Sequence, residues 1–214
     1  MKLLKLLTIA LILLVMVSAS FAQNRKTIKI GKQEWMTENL NVSTFRNGDA
    51  IPEAKTINEW LKAGKEGKPA WCYYENDPVN GKIYGKLYNW YAVNDSRQLA
   101  PKGWHVASHD EWQILIDYYG GQEVAGGRLK ETGMKHWKSP NKGATNDHGF
   151  SALPGGHRDS EGHFYNLGRY ATFWSSTNCN KITAWKRHLS RGDMKVYLDC
   201  FDMIAGFSVR CVRD

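Results

Sequence analysis

The sequence lacks most of the short motifs that identify common enzyme classes. It has no Gly-x-Ser-x-Gly element of the kind that positions a hydrolase nucleophile, no phosphate-binding loop and no His-Glu-x-x-His pair of metal ligands. No Cys-x-x-Cys occurs, which argues against a zinc ribbon and a thioredoxin-type redox site. Glycosidase carboxylates are assembled in space and carry no such motif. An enzyme of unknown class therefore remains an alternative to a binding protein.

Long apolar runs are also scarce, and the one that stands out lies at the N-terminus. Two lysines precede an uncharged, almost wholly apolar run from Leu6 to Val17, and small residues follow at Ser20 and Ala22. This arrangement predicts a secretory signal peptide over 1–22 and a mature chain that begins at Gln23. The run is too short for a transmembrane helix of about 20 residues. We expect a secreted, periplasmic or cell-surface protein with no membrane span after cleavage.

Clusters of like charge are missing as well. The formal net charge is +8, but the basic residues are dispersed and form neither a run nor a basic helix face. Because nucleic-acid binding requires clustered basic residues, we expect no nucleic-acid partner. A mildly cationic surface is compatible with attraction to an anionic polysaccharide.

Proline is scarce in this sequence, whereas aromatic residues are abundant. The chain has 6 Pro against 9 Trp, 10 Tyr and 7 Phe, and many of these aromatics lie in short segments bounded by turns. No linker, repeat or Ser/Thr-rich stalk interrupts 23–214, a length typical of one domain. The pattern predicts an α+β domain with many short strands, few helices and many loops.

Capping boxes and apolar periodicity locate the predicted elements. Ser108 and Glu111 form one capping box before an apolar face that ends at Gly120, and Thr56 and Glu59 form another. Arg191-Gly192-Asp193 separates two strand-like segments and predicts a hairpin turn. The predicted helices are 108–119, 56–63 and a brief one through Leu87, Trp90 and Tyr91; the predicted strands are 27–30, 71–74, 150–153, 171–175, 184–189, 195–199 and 207–212.

Four cysteines, an even number, favour disulfides in an exported chain. They are Cys72, Cys179, Cys200 and Cys211, and spacing alone leaves three pairings open. The predicted hairpin brings its outer ends together, which places Cys179 and Cys200 within plausible reach of each other.

Several segments, in order along the chain, resemble the Fibrobacter succinogenes major paralogous domain family. One departure is Ala107, where the family usually has Pro. The resemblance implies an exported protein of Bacteroidetes-type bacteria and supplies no established activity. The segments are QEWMTENL at 33–40, WCYY at 71–74, YGKLYNWYAV at 84–93, GWHV at 103–106 with Glu111 and Trp112, GFSALPGG at 149–156, WSST at 174–177 and FSVRCV at 207–212.

The family is in turn distantly similar to the C-type-lectin and formylglycine-generating-enzyme superfold. The resemblance therefore implies a single C-type-lectin-like domain over 23–214. Formylglycine-generating enzymes use a reactive pair of cysteines close in sequence, whereas Cys200 and Cys211 are far apart, so that activity is disfavoured. Cys72 and Cys211 lie in segments that match the family, and Cys179 and Cys200 lie outside them. We therefore predict the pairs Cys72–Cys211 and Cys179–Cys200, with Cys72 and Cys211 as buried thiols the alternative.

No cofactor or metal is indicated, and calcium is only a weak candidate. A calcium-lectin site needs oxygen ligands, and Leu153-Pro154-Gly155 offers none beside its proline. Asn146, Asp147, Asp159 and Glu161 are close enough in sequence to form an oxygen cluster, although 159–162 is more simply a solvated turn. His148, His157 and His163 are spaced irregularly, which is more typical of surface residues than of metal ligands.

Aromatic side chains in the Gly-rich region 136–174 are the candidates for ligand binding. An aromatic ring packs on the C–H face of a sugar while neighbouring polar groups bond its hydroxyls. Trp35, Trp104 and Trp112 are assigned to the core. The sequence thus predicts an exported non-enzymatic binding module for glycans or extracellular partners; an enzyme or a structural subunit of a surface assembly is the alternative. The predicted ligand-binding residues are Trp137, Arg158, Tyr165, Tyr170 and Trp174.

Overall fold

The computed structural model describes residues 26–214, and the predicted signal peptide and cleavage site lie outside them. No helix in 26–214 is long and apolar enough to cross a membrane. The predicted α+β class is confirmed. In chain order the elements are β1 (Thr27–Ile30), β2 (Gln33–Met36), α1 (Ile57–Lys65), β3 (Trp71–Cys72), α2 (Pro78–Tyr84), β4 (Leu87–Tyr88), α3 (Trp90–Val93), β5 (Trp104–Val106), α4 (His109–Tyr118), α5 (Gln122–Leu129), β6 (Gly155–Arg158), β7 (Phe164–Leu167), β8 (Tyr170–Asn178), β9 (Thr183–Ser190), β10 (Val196–Asp202) and β11 (Cys211–Arg213).

The described strands form three sheets. A four-stranded sheet has the order β1-β2-β11-β5, so the last strand pairs with one of the first. A five-stranded sheet has the order β10-β9-β8-β6-β7, in which β8, β9 and β10 are the longest strands. β3 and β4 form a two-stranded pair. The inner face of the five-stranded sheet packs against α4 and α5. Phe173 of β8 and Leu189 of β9 lie in one apolar cluster with Trp112 of α4.

The two predicted capping boxes are both present and start the helices as expected. In α4 the Ser108 hydroxyl accepts from the backbone N–H of Glu111, and the Glu111 carboxylate accepts from the backbone N–H of Ser108. In α1 Thr56 and Glu59 make the same exchange. Reciprocal capping satisfies donors that the first helical turn leaves unpaired, which is why these boundaries follow from local sequence.

Several predicted elements differ from the observed ones. Leu87 lies in β4, and the brief helix begins only at Trp90. Residues 150–153 and 207–210 make isolated bridges, and a strand forms only at Cys211–Arg213. These segments are apolar because they are buried, and burial alone does not distinguish a strand from an irregular segment. The predicted strand 71–74 turns into a 3-10 helix at Tyr74–Asn76.

One of the two predicted disulfides forms. Cys179 and Cys200 are bonded across the β8–β9–β10 region, as the hairpin predicted. The predicted Cys72–Cys211 bond is wrong, and both residues are buried thiols. The physical reason is packing: Cys72 belongs to the apolar cluster around Trp60, whereas Cys211 belongs to another cluster around Trp104. Burial raises the pKa of the Cys72 thiol to about 12, which makes it unreactive.

Thiol labelling tests this assignment. We expect denatured, unreduced mature protein to label at Cys72 and Cys211 only, and reduced protein to label at all four positions. Replacing Cys179 and Cys200 by Ser should lower the free energy of unfolding by about 3 kcal/mol on the chain-entropy model. Non-reducing peptide mapping makes the check, and a linked Cys72–Cys211 peptide would contradict the structure.

Candidate functional site

Side chains with rings form a row across the outer face of the five-stranded sheet, the face turned away from α4 and α5. The register pairs Tyr197 of β10 with His188 of β9, and His188 with Thr172 of β8. His157 of β6 pairs with Tyr165 of β7. Because Gly156 pairs with Ala171, His157 lies close to the Thr172 position. Neighbouring strands are about 4.8 Å apart, so five of them span roughly 19 Å.

The rings of this row form two groups, and within each group neighbouring rings contact one another. The imidazole of His188 stacks on the ring of Tyr197 with centroids 4.5 Å apart, and Tyr170 lies on its other side at 5.4 Å. The centroids of His157 and Tyr165 are 6.0 Å apart. We call Tyr165, His157, Tyr170, His188 and Tyr197 the aromatic face.

The aromatic face is open at its edge and closed at its centre. Tyr165 is 46% exposed, whereas Thr172 is buried between the two halves of the row. Phe207 lies 5.8 Å from His157 and forms part of the buried floor. The row is therefore a shallow surface with exposed rings at β7 and partly exposed rings at β9 and β10.

An ion pair borders the aromatic face. Lys186 Nζ lies 2.9 Å from Asp199 Oδ2 and 3.0 Å from His188 Nδ1. Burial raises the pKa of the Asp199 carboxyl. Its hydrogen bond to Lys186 and the charge of that lysine together outweigh this effect, so the pKa lies below its usual value. The pair supplies hydrogen-bond donors and acceptors beside the rings.

Both imidazoles of the aromatic face are held neutral. Burial, with the nearby charge of Lys186, lowers the pKa of His157 to about 4 and that of His188 to about 4. The Nδ1 atom of His157 is buried and has no hydrogen-bond partner among residues 26–214. A buried polar atom without a partner is uncommon in folded proteins.

Three of the five residues predicted to bind ligand are buried in the core. Trp137 is 1% exposed and donates its indole N–H to the Ala152 carbonyl; Trp174 is 0% exposed and donates to the Tyr88 carbonyl. Arg158 is 1% exposed and donates to backbone carbonyls, including that of Ala54. These three predictions are wrong, because a side chain sealed within the core cannot contact a ligand.

The other two predicted residues, Tyr165 and Tyr170, belong to the aromatic face. Sequence reasoning missed His157, His188 and Tyr197, which lie with them. The available signal was strand alternation: Lys186 and His188 alternate with Arg187 and Leu189. That period of two places His188 on the face opposite Leu189, which packs in the core.

The predicted oxygen cluster is only partly assembled. Asp159, Glu161 and His163 have ligand atoms within 4.8 Å of one another in the β6–β7 loop. Asp159 Oδ1 already accepts from the backbone N–H groups of Glu161 and His163, as in a turn. Asp147 instead bonds Arg128, and Asn146 bonds Ser151. These hydrogen bonds within the loops explain the positions of Asp159 and Asp147 without invoking a metal ion.

The fold and the aromatic face define a single α+β domain with a partly exposed row of rings on one sheet. A model of the Fibrobacter succinogenes major domain matches residues 28–213, so the chain belongs to that family. No curated protein and no solved structure matches the chain. The likeness to the C-type-lectin superfold therefore stays a prediction.

The depressed histidine pKa values predict acid-dependent stability. The unfolded chain binds protons at these imidazoles near pH 6.5, whereas the folded protein does so only near pH 4. Stability should therefore fall as the pH drops from about 6.5 to about 4. Each histidine accounts for a loss of about 2.5 kcal/mol over this window, so we expect the wild type to lose about 5 kcal/mol more than His157→Gln/His188→Gln. Urea unfolding at a series of pH values makes the comparison, and parallel curves would contradict it.

Proposed function

We propose that the protein is an exported binding module that holds a saccharide against the aromatic face. The observation that carries the proposal is the row of rings across five strands, with Tyr165 exposed at its edge. The Cys179–Cys200 disulfide supports an oxidising compartment outside the cytoplasm. The predicted signal peptide agrees with this location.

Ring stacking would supply the apolar part of recognition. The C–H face of a pyranose packs on an aromatic ring, and tyrosine adds a hydroxyl at its rim. A span of roughly 19 Å suits a short oligosaccharide chain better than a single sugar. Sheet strands hold the rings at fixed spacing, so little ordering entropy would be lost on binding.

Polar groups beside the rings would bond the sugar hydroxyls. A neutral imidazole has one donor and one acceptor nitrogen, which matches a hydroxyl group. Because Nδ1 of His157 is buried, this imidazole would reach a sugar hydroxyl through Nε2. Asp199 is 50% exposed at its side chain and offers carboxylate oxygens next to His188. The surface therefore offers rings for stacking and polar groups for hydrogen bonding, the two components of a typical sugar-binding contact.

Binding without catalysis is the reading we favour for this surface. A glycosidase needs two carboxyl groups on opposite sides of one bond. Two carboxylates of the described chain lie beside the rings: Asp199 is paired with Lys186, and Asp193 accepts from the hydroxyl of Tyr197. An ion-paired carboxylate with a lowered pKa, such as that of Asp199, is poorly suited to act as a general acid.

A matched pair of tyrosine variants tests the proposal. A glycan array of the mature protein, with and without calcium, identifies the saccharide, and calorimetry then measures its affinity. Tyr165→Ala should weaken binding about fivefold to tenfold, the usual worth of one aromatic stack. Tyr118→Ala is the control, because Tyr118 is 50% exposed on α4 and outside the aromatic face.

A second variant separates stacking from hydrogen bonding. His157→Phe keeps a ring in the row and removes the nitrogens, so we expect weaker binding with an unchanged circular dichroism spectrum. Equal affinity in wild type, Tyr165→Ala and His157→Phe would contradict the proposal. So would an array without any binding in either calcium condition.

A further inference from the structure

A separate cleft of about 540 Å³ opens beside helix α2. Its walls come from α2 and from the segments 37–41, 131–136 and 151–153. Small-molecule sites occupy roughly 300–1,000 Å³, so the size suits a small ligand. None of the aromatic-face residues lines it. A ligand of this cleft is therefore independent of the saccharide proposed above.

A buried cation lies behind the inner wall of the cleft. Arg210 Nε donates to Asn39 Oδ1 at 2.7 Å, and Nη2 donates to the Ser151 carbonyl at 3.1 Å. Both acceptor residues line the cleft. No carboxylate of residues 26–214 is within ion-pair distance of Arg210, so its charge is not neutralised locally. In a low-dielectric wall such a charge produces a positive potential at the adjoining surface.

The rim of the cleft has more uncommitted positive than negative groups. Glu38 is paired with Lys26 at 3.1 Å, and Glu131 is engaged by His136. Lys82 and Lys135 are exposed, and neither has an ion pair with any described residue. Two free ammonium groups therefore face a cleft whose lining carboxylates already have partners. This arrangement favours an anionic ligand.

His136 adds a directed hydrogen-bond acceptor. Its Nδ1 lies 3.0 and 2.8 Å from the two oxygens of Glu131. A carboxylate only accepts, so Nδ1 carries a proton, and in the uncharged form of the ring Nε2 is the acceptor. Within the described chain Nε2 has no partner. A ligand hydroxyl can donate to it.

We propose that this cleft binds a small sugar acid, with its carboxylate held by Lys82 and Lys135 and a ring hydroxyl donating to Nε2 of His136. An anion alone would use the lysines, and a neutral sugar alone would use the imidazole. A ligand with both groups on one ring uses the whole set. The chemistry therefore selects a uronate over inorganic anions and over neutral sugars.

Calorimetry at low ionic strength, with galacturonate, galactose and inorganic phosphate as probes, tests the proposal. Wild-type protein should bind galacturonate at least tenfold more tightly than either other probe. Lys82→Met/Lys135→Met should weaken galacturonate binding at least tenfold, because charge-assisted hydrogen bonds are lost. Lys102→Met/Lys181→Met removes two exposed lysines outside the cleft and should change the affinity less than twofold.

His136→Phe tests the hydroxyl contact separately. We expect it to abolish the preference for galacturonate over phosphate while leaving the lysine-dependent binding of both anions. Galactose bound as tightly as galacturonate would overturn the proposal, as would an unchanged affinity in Lys82→Met/Lys135→Met. Phosphate bound as tightly as galacturonate would assign the cleft to anions in general and overturn the sugar acid. None of these results depends on Tyr165, so they are distinct from failure of the aromatic face.

Discussion

The buried guanidinium of Arg210 joins parts of the chain that are far apart in sequence. It donates to the Met36 and Phe150 carbonyls at 2.8 Å each, to Asn39 Oδ1 and to the Ser151 carbonyl. Irregular segments leave carbonyls without strand or helix partners, and a buried carbonyl without a donor is costly. Burial lowers the pKa of Arg210 to about 9, because removing the charged guanidinium from water is unfavourable.

Other buried cationic side chains also donate to backbone carbonyls elsewhere in the described chain. Arg158 donates to the carbonyls of Ala54, Lys55 and Gly162, and Lys130 donates to those of Lys142, Ser190 and Asp193. These side chains act as multiple donors that replace missing ladder hydrogen bonds. These contacts tie loops of the domain to its core, and those of Arg210 also hold two residues of the cleft wall, Asn39 and Ser151.

Local features of the fold could be predicted from the sequence, whereas the solvent exposure of individual aromatic side chains could not. The capping boxes at Ser108 and Thr56, and the hairpin that brings Cys179 to Cys200, depend on neighbouring residues and were predictable. Trp174 and Tyr165 are both aromatic residues in Gly-rich surroundings, yet one is buried and the other exposed. Their burial depends on which segment crosses each face, and Phe207, 4.3 Å from Trp174, arrives from near the C-terminus. Arg158 resembles a ligand-binding arginine in sequence, and its carbonyl partners are visible only in three dimensions.

The most direct test of the account is a titration of ¹⁵N-labelled mature protein with the tightest-binding oligosaccharide, followed by amide chemical shifts. We expect the largest shifts to cluster on β7, β6 and β9, at Tyr165, His157 and His188, with the core amides near Trp137 and Trp174 almost unchanged. Shifts confined to surfaces remote from the five-stranded sheet would contradict it.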